Sequence, residues 1–251
     1  MTDKNDFTGK QVLISGAAAG IGRETAVMLS KLGCRLILID IDKDGLADTV
    51  SNLFGTGHSF NIIDLGNLES IEPAFKGIVD KHGPFDGFVH CAGIRCRRPI
   101  AMITPSILSE VLKVNFGSFI ELTRCIIRRN NFNEGLSIVG VSSISSQRGG
   151  VSVTAYAASK AAMDCAVRCL AKELGSKSIR LNTVVPAQIE TRAYVDFLKM
   201  TGGAEDITLT RQYLGLGEPL DVANLIVFLL SDKSKFITGS SIPVDGGFLS
   251  S

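Results

Sequence analysis

The sequence predicts a doubly wound α/β domain, a parallel sheet with helices on both faces. Seven short apolar runs, the helical segments between them and a glycine-rich turn after the first run predict it. The runs are VLIS (12–15), RLILID (35–40), HSFNII (58–63), FDGFVH (85–90), LSIVGVS (136–142), IRLNTVV (179–185) and SIPVD (241–245). Continuous Val/Ile/Leu runs, rather than alternating ones, are what strands buried on both faces require. RETAVMLSKLG after the first run and ANLIVFLLSD before the last have helical spacing, so each fits a crossover between parallel strands.

A chain of 251 residues, 45% hydrophobic, can bury one substantial core, and no linker or repeat divides it. Residues 1–251 are therefore read as a single domain. The segment 192–217, interrupted by Gly202 and Gly203, fits a mobile substrate-binding insertion better than a core element. Formal charge is +1, which gives no global attraction to nucleic acid or an anionic membrane. The polar start MTDKNDFTGK has neither a signal-peptide core nor a spanning run, so a cytoplasmic location is expected. The six cysteines form no CxxC and read as core thiols, and His58, His82 and His90 are dispersed, so no metal is expected.

The turn SGAAAGIG sets Gly16, Gly20 and Gly22 between a strand and a helix that starts near Arg23. Glycines there let the backbone approach a pyrophosphate, which the helix N-terminus attracts through its free amides and dipole. Asp40 ends the second run, where a carboxylate binds ribose hydroxyls and repels a 2′-phosphate. Neither Ala19 nor Ile41 offers a cation for that phosphate, so NAD(H) is favoured over NADP(H). Asp64 and Leu65, after the third run, fall where an adenine edge can be reached.

Tyr156 and Lys160 in YAASK lie one helical turn apart and can point the same way. A tyrosine that exchanges protons near neutral pH needs its phenolate stabilised, which a nearby ammonium does. Ser143, directly after the fifth run, is placed to hydrogen-bond a substrate oxygen.

With these motifs in order, SGAAAGIG, Asp40, HCAG, VNFGS, Ser143, YAASK, NTVVPAQIET and PVDGG, nearly the whole chain resembles the short-chain dehydrogenase/reductase family. The resemblance implies a Rossmann fold and hydride exchange between nicotinamide and a secondary alcohol or ketone. It implies Tyr156 as general acid/base, Lys160 stabilising the phenolate and binding the nicotinamide ribose, Ser143 orienting the carbonyl, and Asn115 holding a relay water. It further implies that Ile21, Cys91, Ala92 and Gly93 border the cofactor, with Pro186, Ala187 and Ile189 at the nicotinamide and Thr191 near the phosphates. Three positions depart from the family pattern: Ser15 for threonine, His90-Cys91 for Asn-Asn, and Ala187 for glycine.

Arg95, Arg97 and Arg98 crowd after HCAG, at the sheet edge where such folds bind ligands, and Arg95 or Arg97 is the candidate for an anionic group on the substrate. The first substrate reading is a 3-oxoacyl-carrier-protein reductase-like enzyme, in which Arg128 and Lys172 match basic residues used against an acidic carrier. The alternative is a sugar-acid or polyol dehydrogenase, and the alternative of a different class is a catalytically weak NAD-binding regulatory protein. The resemblance also implies a homotetramer, which a stable monomer in sedimentation would refute.

Overall fold

The structure is a computed structural model and describes residues 7–191, 194–195, 198 and 209–250. Seven parallel strands form one sheet: β1 (Gln11–Ser15), β2 (Arg35–Asp40), β3 (Ser59–Ile62), β4 (Phe85–His90), β5 (Phe132–Val141), β6 (Arg180–Pro186) and β7 (Ser241–Val244). Their spatial order is β3-β2-β1-β4-β5-β6-β7, so the chain reverses its direction of travel between β1 and β4. Such a reversal opens a crevice beyond the strands' C-terminal ends.

The continuous apolar runs are explained by where alternate residues go. Leu13, Ile37 and Ile39 enter one core with Phe75, Phe88, Phe119 and Met163. Their neighbours Val12, Ile14, Leu36 and Leu38 enter a second core with Ala26, Leu29, Ile226 and Leu229. Helices α3 (Leu68–His82), α5 (Ser118–Ile126) and α6 (Thr154–Leu174) supply the first layer. Helices α1 (Gly20–Lys31), α2 (Lys43–Ser51) and α7 (Pro219–Leu230) supply the second.

Helix α4 (Pro105–Leu112) runs into a π-helical turn, Lys113–Gly117, before α5 begins. Thr104 caps α4 by accepting from the Ile107 amide, and Pro105 occupies its first turn, where a missing N–H costs nothing. At the start of α7, Glu218 and Asp221 form a reciprocal capping box.

Strand β5 begins at Phe132, earlier than the apolar run at 136, because Phe85 of β4 pairs with Phe132 before a shift in register. Residues 192–193, 196–197 and 199–208 of the expected insertion lie outside the described residues. Its described end is anchored: the Gln188 amide donates to the Gln212 side chain (3.1 Å), which donates back to the Gln188 carbonyl (3.0 Å). Cys34, Cys96 and Cys125 are core thiols as expected and Cys91 is half-buried. Cys165 and Cys169 are instead exposed, because they lie on the outward face of α6. Among the described residues, no helix is long and apolar enough to cross a membrane.

Candidate active site

A cleft of about 600 Å³ opens at the crevice between β1 and β4. At one end lies the glycine loop. Gly16 has φ +69° and packs so closely on the β4 loop that a Cβ would fall 2.5 Å from the Ala92 nitrogen. A Cβ on Gly22 would fall 2.1 Å from the Gly16 carbonyl oxygen, so the turn closes only with glycine at both positions. Ala19 caps α1 without any side-chain hydrogen bond, which leaves the first amides of that helix for an anion. Thr191 stands over the loop, its methyl 3.3 Å from where a Gly20 Cβ would be.

Asp40 is held in place by backbone donors: one carboxylate oxygen accepts from the Ala18 amide (3.0 Å) and the other from the Asp42 amide (3.1 Å). These bonds tie the acid to the glycine loop and keep it at the cleft wall. Ile41, Asp64 and Leu65 continue that wall, with Asp64 accepting from the Gly66 amide at 2.8 Å. The cradle, the open helix end and the aimed carboxylate together fit a dinucleotide.

The opposite wall carries Ser143, Tyr156 and Lys160. Ser143 ends the run from β5, and its oxygen accepts from the Ser145 amide (3.2 Å), which leaves its own proton to donate. The neighbouring Ser142 is turned inward, its hydroxyl 3.5 Å from the Lys160 carbonyl. Lys160 is buried, donates to the Val141 carbonyl at 2.8 Å, and sits 6.0 Å from the centre of the Tyr156 ring. Burial pulls its ammonium down to about 8, Cys91 and Asp164 oppose this, and Arg95 adds to it.

Asn115 does not line the cleft but lies beneath it. Its side chain accepts from the Ile94 amide (2.7 Å) and donates to the Ile94 carbonyl (3.0 Å) and to Ser159 (2.9 Å). It thus braces the β4 loop against the residue preceding Lys160. Pro186 at the end of β6, and Ala187 and Ile189 beyond it, border the cleft. The Ala187 methyl is largely taken up by Ile144, Val185 and Phe248. Arg95 lines the cleft, whereas Arg97 is exposed and does not. Lining residues that the sequence reading missed include Ile63, Gly66 and Ile94, each adjacent to one it found. Glu110 and Val114 were also missed, since they arrive from α4 and the π turn with no local signal.

A family model described as enoyl-(acyl carrier protein) reductase matches residues 16–249. The chain belongs to the short-chain dehydrogenase/reductase family. It is 34% identical to an L-xylulose reductase of Caenorhabditis elegans over 97% of each chain. It is 33% identical to a 3-oxoacyl-[acyl-carrier-protein] reductase of Thermotoga maritima, covering 96% of this chain and 98% of the relative. A Brucella melitensis structure described as a short-chain dehydrogenase/reductase, glucose/ribitol dehydrogenase, superposes with a TM-score of 0.89 at 30% identity, covering 97% of this chain and 98% of its own. Members of this family are oxidoreductases that use NAD(P)(H).

His90 is the family departure with the most distinct surroundings. It is fully buried, and burial pushes its imidazole down to about 3. Between about pH 6.5 and 3 the unfolded chain binds a proton that the folded ring refuses, so stability falls as pH falls through that window. From pH 6.5 to 4.5, thermal midpoints of the wild type should drop more steeply than those of His90→Phe. Parallel slopes would contradict this.

Proposed function

We propose that the protein interconverts a ketone and a secondary alcohol on a small polyhydroxylated substrate, with NAD(H) as cofactor. The observation that carries this reading is one cleft with Ser143, Tyr156 and Lys160 on one wall and the glycine loop with Asp40 on the other. When bound there, the nicotinamide supplies or accepts the hydride. In reduction, the substrate oxygen lies against the Ser143 and Tyr156 hydroxyls. Ser143 donates a hydrogen bond to it, and Tyr156 gives up its proton as the carbon is reduced. The buried Lys160 ammonium stabilises the phenolate that remains. Asn115 acts through Ile94 and Ser159, as a positioning residue. A pure binding module would have no need of the Tyr156–Lys160 pair, which weighs against the NAD-sensing alternative.

Lys160 gives the reaction a pH signature. Both a charged Lys160 and a protonated tyrosine favour reduction, so kcat/KM for reduction should decline above about pH 8. A flat profile to pH 10 would contradict the role given to this lysine.

One feature favours a sugar-type substrate over a carrier-protein thioester. Arg128 is engaged within the chain, its guanidinium 2.5 Å from the Glu72 carboxylate, which also pairs with Arg124. Those two arginines, Arg128 first, hold the Glu72 carboxyl down to about 2, so of the two basic residues matched to an acidic carrier, Arg128 already has a counter-ion.

Arg95 is the residue assigned to an anionic group on the substrate. It faces the cleft and has no ion-pair partner among the described residues. Arg95→Ala should raise KM for a keto sugar acid about tenfold, roughly one charge-assisted hydrogen bond, and leave KM for neutral L-xylulose unchanged. Arg97→Ala should affect neither. Equal effects on the acid and the neutral ketose would remove Arg95 from this role.

A further inference from the structure

The proposed mechanism leaves one buried titratable group unused, the imidazole of His90. It ends β4, inside the core, with ring centres 6.0 Å from Phe88 and 5.6 Å from Phe119. Its Nδ1 lies 2.8 Å from the Ser15 hydroxyl on β1, and its Nε2 lies 3.5 Å from the Ser118 hydroxyl at the start of α5.

Counting protons assigns the tautomer. The Ser118 hydroxyl donates to the Val114 carbonyl at 2.6 Å, so its oxygen can only accept from the ring. That places the ring proton on Nε2. Nδ1 is then a lone pair that accepts from the Ser15 hydroxyl. A single neutral tautomer satisfies every contact, and burial keeps it neutral.

The two ends of this bridge serve different halves of the site. Ser15 immediately precedes Gly16, and its carbonyl accepts from the Cys91 amide at 3.0 Å, so it roots the glycine loop. Asn115 holds Ile94 and Ser159, the latter next to Lys160. We propose that His90 is a positioning residue that, through Ser118 and the Val114 carbonyl Ser118 holds, locks the root of the cofactor loop to the π turn that carries Asn115, holding cofactor cradle and proton-transfer helix in one register. This rests on the reading of the cleft as a nicotinamide dinucleotide site.

Two measurements on the full-length protein test it. The first is ¹⁵N spectroscopy of the histidine-labelled protein without cofactor, in which only His58, His82 and His90 report. His90 should stay neutral with its proton on Nε2 from pH 8 to pH 5, and a ring that titrates or carries its proton on Nδ1 overturns the proposal. The second is a double-mutant cycle in affinity for whichever of NADH and NADPH the wild type binds, read by nicotinamide fluorescence. Ser15→Ala and His90→Phe should each weaken binding about tenfold, and the double variant should be no weaker than either. His90→Asn, which keeps an amide donor and acceptor, should recover most of the loss. Where His90→Phe does not fold, Ser118→Ala replaces it in the cycle, and non-additivity is again expected. Additive losses, or none, overturn the positioning role alone. Failure of the wild type to bind either dinucleotide overturns the cofactor reading and this proposal with it.

Discussion

Tyr156→Phe lowers turnover by about 10² to 10⁴ and leaves dinucleotide affinity within about threefold. The variant loses only the hydroxyl that exchanges the substrate's proton. The ring keeps its place beside Lys160, 6.0 Å from the ammonium, and the glycine loop and Asp40 lie on the far wall. The loss should fall in kcat and kcat/KM together, since the proton is given up only in the transition state. Nicotinamide absorbance read against fluorescence titration separates turnover from binding. A variant that binds NADH and turns over like the wild type would remove Tyr156 from the proton transfer.

The second large effect falls on cofactor choice. Asp40→Ser should reduce kcat/KM with NADH by about 10- to 100-fold, the scale of one or two charge-assisted hydrogen bonds to ribose hydroxyls. It should raise kcat/KM with NADPH, because the carboxylate that repels a 2′-phosphate is gone. Part of the NADH loss will come from the loop, since the carboxylate also accepts from the Ala18 and Asp42 amides. That part is shared by both cofactors, so the ratio of the two efficiencies isolates the charge effect. A ratio that does not move would show that Asp40 braces the loop without reading the ribose.

The sheet was legible because its strands are buried on both faces. VLIS and RLILID send alternate residues into two cores, so neither run contains a polar interruption. The start of β5 was not legible: FNEG has no apolar pattern, and only pairing with Phe85 makes it strand. Within the site, the glycine loop, Asp40 and the Tyr156–Lys160 pair were legible because each is a local pattern whose geometry follows from one turn or one helix. Relations between distant segments were not. His90 meets Ser15 across 75 residues and Ser118 across 28, so the sequence shows it only as a departure from Asn-Asn. Glu72 pairs with Arg128 across 56 residues, so Arg128 looked free in the sequence. The π turn that carries Asn115 has no residue signature in VNFGS, and it sends the side chain beneath the cleft.

The most direct measurement is oxidation of NADH and of NADPH by the wild type, side by side, with L-xylulose, a keto sugar acid and a 3-oxoacyl thioester as substrates. The predicted result is turnover with NADH exceeding that with NADPH, on a ketose or keto sugar acid in preference to the thioester. Preference for NADPH and the thioester would contradict both the reading of Asp40 and that of Arg128. Inertness with both cofactors on all three substrates would contradict the proposed reaction.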